Sequence, residues 1–79
     1  MHLLLPIQGP SAASDKTHLQ KLIARAGGNR VEMAALPEWM RDVARAADPL
    51  IPGDLPVRVK LVHDCRRRLF AEVVSDETV

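Results

Sequence analysis

The stretch "VRVKLVHDCRRRLFAEVV", residues 57–74, decides the fold, because it carries the clearest strand pattern of the chain and three consecutive arginines. In its first third, the apolar residues Val57, Val59 and Leu61 alternate with the cations Arg58 and Lys60. Alternation with a period of two is typical of a strand with one buried face. The pattern therefore predicts a strand over residues 57–62, with the two cations on the exposed face.

The rest of this stretch has two interpretations. In the first, residues 63–68 form a turn and residues 69–74 form a returning strand. In the second, Asp64 caps a helix. The apolar stripe of that helix consists of Cys65, Leu69 and Val73. The β-branched and aromatic residues of the second half favour a strand, whereas the lack of glycine in the turn counts against a tight hairpin. We expect the hairpin.

The N-terminal segment His2–Ile7 is an apolar run without alternation, which is typical of a strand covered on both faces. Gly9 and Pro10 end this run, and a polar loop follows. The P-loop-like sequence "GPSAASDKT", residues 9–17, lacks the second glycine that would let backbone N–H groups surround a phosphate. We therefore interpret it as a loop that leads into a helix.

A helix is predicted over residues 15–26, with Ser14 or Asp15 as its N-cap. Four apolar residues at helical spacing predict its buried face. They are Leu19, Leu22, Ile23 and Ala26. The pair Gly27-Gly28 should end the helix, because glycine readily adopts the left-handed conformation of a C-terminal cap.

The middle of the chain predicts a short helical turn over residues 31–36 and a helix over residues 37–47, with Pro37 at the first helical position. The expected buried side of this helix is formed by Trp39, Val43 and Ala46 or Ala47, with Met40 beside them. A proline-rich connector, residues 49–56, leads to the strand at residue 57.

The predicted fold class is α+β, with a small sheet, made of the N-terminal strand and the C-terminal hairpin, packed on two helices. The 79 residues form one small domain, residues 1–79, with residues 75–79 as a disordered tail.

The composition narrows the classes of function. The net charge of +1 is low for a dedicated nucleic-acid-binding protein, although a local basic patch can replace a global charge. The single cysteine, Cys65, excludes an internal disulfide and indicates a reducing compartment such as the cytoplasm. No segment approaches the roughly 20 apolar residues that span a bilayer. The frequent Arg, Ala and Val residues are typical of a bacterial or phage genome.

Neither a catalytic nor a metal-binding pattern is recognisable in the sequence. His63 and Cys65 lie two residues apart, but a closed zinc site requires four nitrogen or sulfur ligands. No Ser-His-Asp pattern or pair of carboxylates is evident. We therefore expect a protein that is not an enzyme and that uses no cofactor and no metal.

The sequence "IARAGGNRVEMAAL" within residues 22–36 resembles the Fis-type helix-turn-helix, which joins two helices through a Gly-Gly-Asn-Arg step. That family continues with a polar, basic recognition helix, whereas this chain has Glu38 and Asp42 at the corresponding place. The order of helices and strands also resembles a winged helix whose wing would be "HDCRRR", residues 63–68. A winged-helix-like DNA-binding regulator is therefore the alternative function.

The leading functional prediction is a small regulatory protein that acts by contact with another protein, such as an inhibitor or adaptor of the kind found in phages and mobile elements. Arginine is favoured at protein interfaces because its planar guanidinium pairs with carboxylates through two hydrogen bonds. The predicted contact residues are Arg58, Lys60, Arg66, Arg67 and Arg68. They predict a partner with an acidic surface; nucleic acid and a second copy of the chain remain further candidates, and a membrane is not expected.

Overall fold

The structure, a computed structural model, describes residues 1–27 and 30–75. Four strands form one antiparallel sheet in the order β1-β4-β3-β2. The elements along the chain are β1 (His2–Pro6), α1 (Ala12–Ala26), β2 (Val31–Glu32), a 3₁₀ turn (Met33–Ala35), α2 (Glu38–Ala47), β3 (Pro56–His63) and β4 (Leu69–Ser75). The predicted α+β fold class is confirmed, including the N-terminal strand and the C-terminal hairpin.

The hairpin interpretation of residues 63–74 is confirmed, and the alternative helix is wrong. β3 and β4 pair along their whole length, with His63 opposite Leu69 and Lys60 opposite Glu72. Ser75 is the last residue of β4, and residues 76–79 of the predicted tail lie outside the described residues.

The segment after α1 differs from the helix-turn-helix that it resembles. Val31 pairs with Val57 and Glu32 pairs with Pro56, so the chain enters the sheet where a second helix would begin. Of the helical turn predicted over residues 31–36, only Met33–Ala35 is helical. Residues 28 and 29, on which the resemblance partly rests, lie outside the described residues.

Helix α1 begins three residues before the predicted start. Ser11 occupies the N-cap position, and Asp15 lies inside the first turns with its side chain buried. Gly27 ends the helix as predicted: its φ is +61°, and its N–H donates to the carbonyl oxygen of Ala24 at 3.2 Å. On the predicted inner face Leu19 is fully buried, and Leu22 is half-buried.

Helix α2 buries a different side from the one predicted. Met40 and Ala44 are buried, whereas Val43 is 41% exposed, and Ala46 and Ala47 are exposed. Met40 and Ala44 are four residues apart, which places them on the same side of the helix, and the buried Leu36 lies just before it. No helix in the described part of the chain is long and apolar enough to cross a membrane.

The sheet carries the core on one face only, so the prediction that β1 is covered on both faces is wrong. Odd-numbered residues of β1, β3 and β4 face the helices. The buried apolar core comprises Leu5, Ile7, Leu19, Met33, Leu36, Met40, Ala44, Leu55, Val57, Val59, Ala71 and Val73. Even-numbered residues form the opposite side, which we call the open face. It contains His2, Leu4, Pro6, Arg58, Lys60, Val62, Phe70, Glu72 and Val74.

A candidate protein-binding surface at the hairpin end

The turn between β3 and β4 is a three-residue loop, Cys65 to Arg67. The N–H of Arg67 donates to the carbonyl oxygen of Asp64, and the N–H of Asp64 donates to that of Arg68, both at 3.0 Å. Arg67 has a φ of +62°, which is the left-handed region. A type I turn followed by one left-handed residue is a standard three-residue hairpin loop. The loop therefore forms without glycine, because Arg67 adopts the conformation that glycine usually provides.

The carboxylate of Asp64 holds this loop together. Its Oδ1 accepts hydrogen bonds from the backbone N–H groups of Arg66 and Arg68, both at 2.8 Å, and its Oδ2 accepts one from Nε of Arg68 at 2.7 Å. The backbone N–H of Arg68, which favours the charged carboxylate, is the largest cause that lowers the pKa of Asp64 below its ordinary value of 3.8. Burial opposes this effect, while the side chain of Arg68 and the N–H of Arg66 add to it.

The three arginines of the turn differ in their contacts. Arg68 pairs with Asp64, and its guanidinium carbon lies 6.0 Å from the centroid of the Phe70 ring. Within the described residues Arg66 and Arg67 form no side-chain ion pair, and both are exposed together with the free thiol of Cys65. Two cations are thus available to a partner, while the third is held in a fixed position.

A groove lies beside the turn because β1 pairs with β4. The register places Pro6 of β1 opposite Phe70 of β4. Their side chains border a concavity of about 340 Å³. Its lining consists of Pro6, Ile7, Gln8, Arg68, Leu69 and Phe70. The walls are mainly apolar, and the fixed guanidinium of Arg68 supplies a positive charge at the edge.

A second concavity, of about 350 Å³, continues from the first and is lined by Pro6, Gln8, Ser11 and Trp39. Nε1 of Trp39 donates to Oδ2 of Asp15 at 2.9 Å, and the hydroxyl of Ser11 donates to the same oxygen at 2.9 Å. These bonds fix the indole beside the groove. We call the combined region the hairpin-end surface. It consists of Pro6, Gln8, Trp39, Arg66, Arg67, Arg68 and Phe70.

The five predicted contact residues fall into two groups. Arg66, Arg67 and Arg68 belong to the hairpin-end surface. Arg58 and Lys60 lie on the open face, where they line a depression of about 140 Å³ together with Glu72 and Val74. Arg58 is separated from Asp64 by six strand positions, which corresponds to about 20 Å along an extended chain. The first group therefore lies at the turn, whereas Arg58 and Lys60 lie further along β3 and away from it.

Sequence patterns did not reveal Pro6, Gln8 or Phe70 as parts of a site. Pro6 and Phe70 are 64 residues apart, and only the antiparallel register of β1 and β4 brings them together. The sequence predicts Trp39 on the buried side of α2. It is half-buried and packs against the core while its ring lines the groove.

Metal-ligating side chains do not cluster in the described part of the chain. No three His, Cys, Asp or Glu side chains come together among residues 1–27 and 30–75 as a metal site would require. His63 lies at the end of β3 and is exposed, as is Cys65. No protein-family model, curated protein sequence or solved structure matches the chain.

Proposed function

We propose that this chain is a non-enzymatic binding protein that contacts an acidic segment of another protein through the hairpin-end surface. The observation that carries the proposal is the position of Arg66 and Arg67. Both are exposed and without an ion pair in the described part of the chain, and they directly precede Arg68, which lines an apolar groove. A surface of this kind pairs a charged rim with an apolar anchor site.

The residue types of this surface support the proposal. Aromatic residues and arginine are enriched at protein interfaces and dominate their binding energy, whereas lysine and acidic residues are depleted. The surface contains Trp39, Phe70 and three arginines. Trp39 is held by Asp15, and Arg68 by Asp64, so neither side chain loses much conformational entropy when a partner binds.

The charge supports an acidic partner. The turn of residues 64–68 contains three arginines and one aspartate, which is already paired with Arg68. A guanidinium forms two parallel hydrogen bonds with a carboxylate, and these are stronger than bonds between neutral groups. An Asp or Glu side chain of the partner would pair with Arg66 or Arg67, while an apolar side chain would enter the groove between Pro6 and Phe70.

The alternative of DNA binding has less support. The helix that would enter the major groove is α2, and its exposed residues include Glu38 and Asp42, which phosphates repel. Asp42 is paired with Arg45 at 3.4 Å, so one of the two arginines of this helix is already neutralised. The wing of a winged helix would use the same three arginines, and the two functions therefore have to be separated by experiment.

Site-directed cross-linking tests the proposal, because the only cysteine of the chain lies within the turn. Cys65 labelled with a photoactivatable benzophenone should cross-link a protein from an extract of the native host, and an excess of a Glu-rich peptide should abolish the cross-link. The matched control carries the label at Gln20→Cys in a Cys65→Ser background, on the exposed side of α1, and should give no competed product.

Charge reversal completes the test. Arg66→Glu/Arg67→Glu should remove the cross-linked product, while Lys16→Glu/Lys21→Glu, which changes the net charge by the same amount on α1, should leave it intact. If both double variants reduce the cross-linked product equally, the net charge of the chain, and not the position of the arginines, determines the cross-link. An unchanged product with Arg66→Glu/Arg67→Glu would overturn the proposal.

A further inference from the structure

Among the described residues, the outer edge of β1 has a defined set of backbone groups without a partner in the sheet. The N–H of Ile7 donates to the carbonyl oxygen of Leu69 at 2.9 Å, and the carbonyl oxygen of Met1 accepts from the N–H of Ser75 at 3.0 Å. Odd-numbered residues of this strand therefore bond to β4. Since backbone groups alternate in direction along a strand, the N–H and C=O groups of His2 and Leu4 point away from the sheet. Pro6 adds an outward carbonyl but no N–H.

Proteins usually protect such an edge with charged side chains. β1 carries no Lys, Arg, Asp or Glu residue over His2–Pro6. On the opposite side of the sheet, β3 pairs with the short edge strand β2 at only two positions, but it carries Arg58 and Lys60. The sheet therefore has one edge with charged residues and one apolar edge. Leu4, in the middle of the apolar edge, is 54% exposed.

We propose that two copies of this chain pair antiparallel through their β1 strands, with the two-fold axis between the two Leu4 residues. This register pairs all five residues of the strand. Leu4 exchanges two hydrogen bonds with its counterpart, and each His2 N–H donates to the carbonyl oxygen of Pro6 in the second copy. The result is four intermolecular hydrogen bonds in one eight-stranded sheet. This inference does not depend on the proposed function.

The strand's proline is compatible with this register. Pro6 lies opposite His2 of the second copy. The carbonyl oxygen of Pro6 accepts a hydrogen bond from the N–H of that His2. Because Pro6 has no N–H, the carbonyl oxygen of that His2 is the only group left without a partner. A register shifted by one residue in each copy pairs only residues 2–4 or only residues 4–6 of the two strands. The Leu4-centred register therefore gives the longest pairing that the strand allows.

The side chains fit the same arrangement. On the open face the two exposed Leu4 side chains become direct neighbours. On the face of the sheet that packs on the helices, the half-buried Leu3 of one copy lies opposite Leu5 of the other. This pair continues the apolar core across the boundary between the two β1 strands, which we call the seam. The imidazole Nε2 of His2 is held by Glu72 at 2.9 Å, so no unpaired charge of the strand lies at the seam. Main-chain hydrogen bonds give such strand additions their affinity.

Sedimentation equilibrium of the full chain tests the dimer. At high protein concentration the wild-type mass should approach twice 8.7 kDa. Leu4→Lys places two ammonium groups at the axis and should return the mass to that of one chain. Leu50→Lys, at a connector residue that is 89% exposed, is the control and should remain dimeric. A wild-type chain that stays monomeric up to millimolar concentration, or a dimer that Leu4→Lys leaves intact, would overturn the proposal.

A disulfide reports the register directly. Residues that exchange both hydrogen bonds across an antiparallel pair have Cα atoms about 5.5 Å apart, which a disulfide can bridge. In a Cys65→Ser background, Leu4→Cys should therefore form a covalent dimer on mild oxidation. His2→Cys is the control, since the two His2 residues lie four positions apart across the seam and should not cross-link. Cross-linking of both variants at equal rates would contradict the Leu4-centred register.

Discussion

Arg67 adopts a backbone conformation that costs a side-chain-bearing residue free energy. Its φ of +62° lies in the left-handed region, which disfavours L-residues by roughly 1–2 kcal/mol. Glycine avoids this cost but loses more backbone entropy on folding, by about 0.5–1 kcal/mol. Arg67→Gly should therefore raise the free energy of unfolding by about 0.5–1 kcal/mol, measured by urea unfolding followed by circular dichroism.

Arg66 provides the matched control at the neighbouring position. Among the described non-glycine residues only Arg67 has a positive φ. Arg66→Gly therefore relieves no unfavourable backbone conformation and should lower the free energy of unfolding by about 0.5–1 kcal/mol. Equal effects of the two substitutions would contradict the role assigned to the left-handed position.

The hydrogen bonds of Asp64 predict a pH dependence of stability. Its pKa is lowered in the folded chain, first by the backbone N–H of Arg68, so the charged carboxylate stabilises the fold at pH values above the unfolded pKa. This contribution is lost as the pH falls from about the ordinary value of 3.8 through the lower folded pKa. Asp64→Asn should therefore be less stable than wild type at neutral pH, and the difference in thermal midpoint should shrink in acid. A difference that is constant down to the lowest pH at which the chain folds would contradict this.

At the scale of elements, one hydrogen bond joins the two helices. Nε1 of Trp39 in α2 donates to the buried carboxylate of Asp15 in α1. A hydrogen bond to a charged group is worth about 1.5–3 kcal/mol, and its removal leaves part of the carboxylate without a donor. A double-mutant cycle with Trp39→Phe and Asp15→Ala should give a coupling free energy of about 1–3 kcal/mol. A coupling near zero would show that Trp39 stabilises the helices through packing alone.

The strands and helices follow from the sequence where a periodic pattern is long enough. β3 alternates over six residues, and its pairing with β4 is confirmed. β2 has only two residues, too few for an alternating pattern, and it exists because Val31 and Glu32 find partners in β3. The predicted start of α1 was wrong because Asp15 is a residue type that often forms an exposed N-cap. In the structure its carboxylate instead turns inward and accepts hydrogen bonds from Trp39 and Ser11.

The candidate site was predictable only in part, for a geometric reason. The arginines of the turn are adjacent in sequence, so their clustering needs no knowledge of the fold. The groove joins β1, the loop after it, α2 and β4, and no local pattern indicates which distant residues meet there. The turn was predicted despite its lack of glycine because the β-branched and aromatic residues after it favour a strand. The role of the Asp64 carboxylate in stabilising the turn was not predicted, since the sequence suggested Asp64 only as the cap of the alternative helix.

At the scale of the whole molecule, salt and sequence dependence separate the two functions. A DNA-binding protein that neutralises several phosphates loses about 10³-fold or more in affinity between low and moderate salt, and prefers its own site by about 10³-fold or more. We expect weak binding of a random duplex pool and no enriched sequence in fluorescence-anisotropy titrations at two salt concentrations. The net charge of +1 and the acidic residues of α2 are the reasons. A defined site bound at sub-micromolar affinity, and lost in Arg66→Ala/Arg67→Ala/Arg68→Ala, would favour the DNA-binding alternative.

The pairing of β1 with β4 also sets the order in which the chain folds. Pro6 and Phe70 are 64 positions apart, whereas the hairpin joins His63 and Leu69 across 6 positions. Closing the longer loop costs about 2 kcal/mol more in chain entropy. The hairpin should therefore be formed in the folding transition state, and β1 should dock after it.

Stopped-flow kinetics check this order. Val59→Ala in β3 should slow folding, whereas Leu5→Ala in β1 should mainly speed unfolding. If Leu5→Ala slows folding as much as Val59→Ala, β1 docks early. Late docking leaves the edge of β4 open in a partly folded chain. When the chain refolds at high concentration, we expect the β1 strand of a neighbouring molecule to compete for that place, so the last step of folding is the step at which strand exchange is predicted.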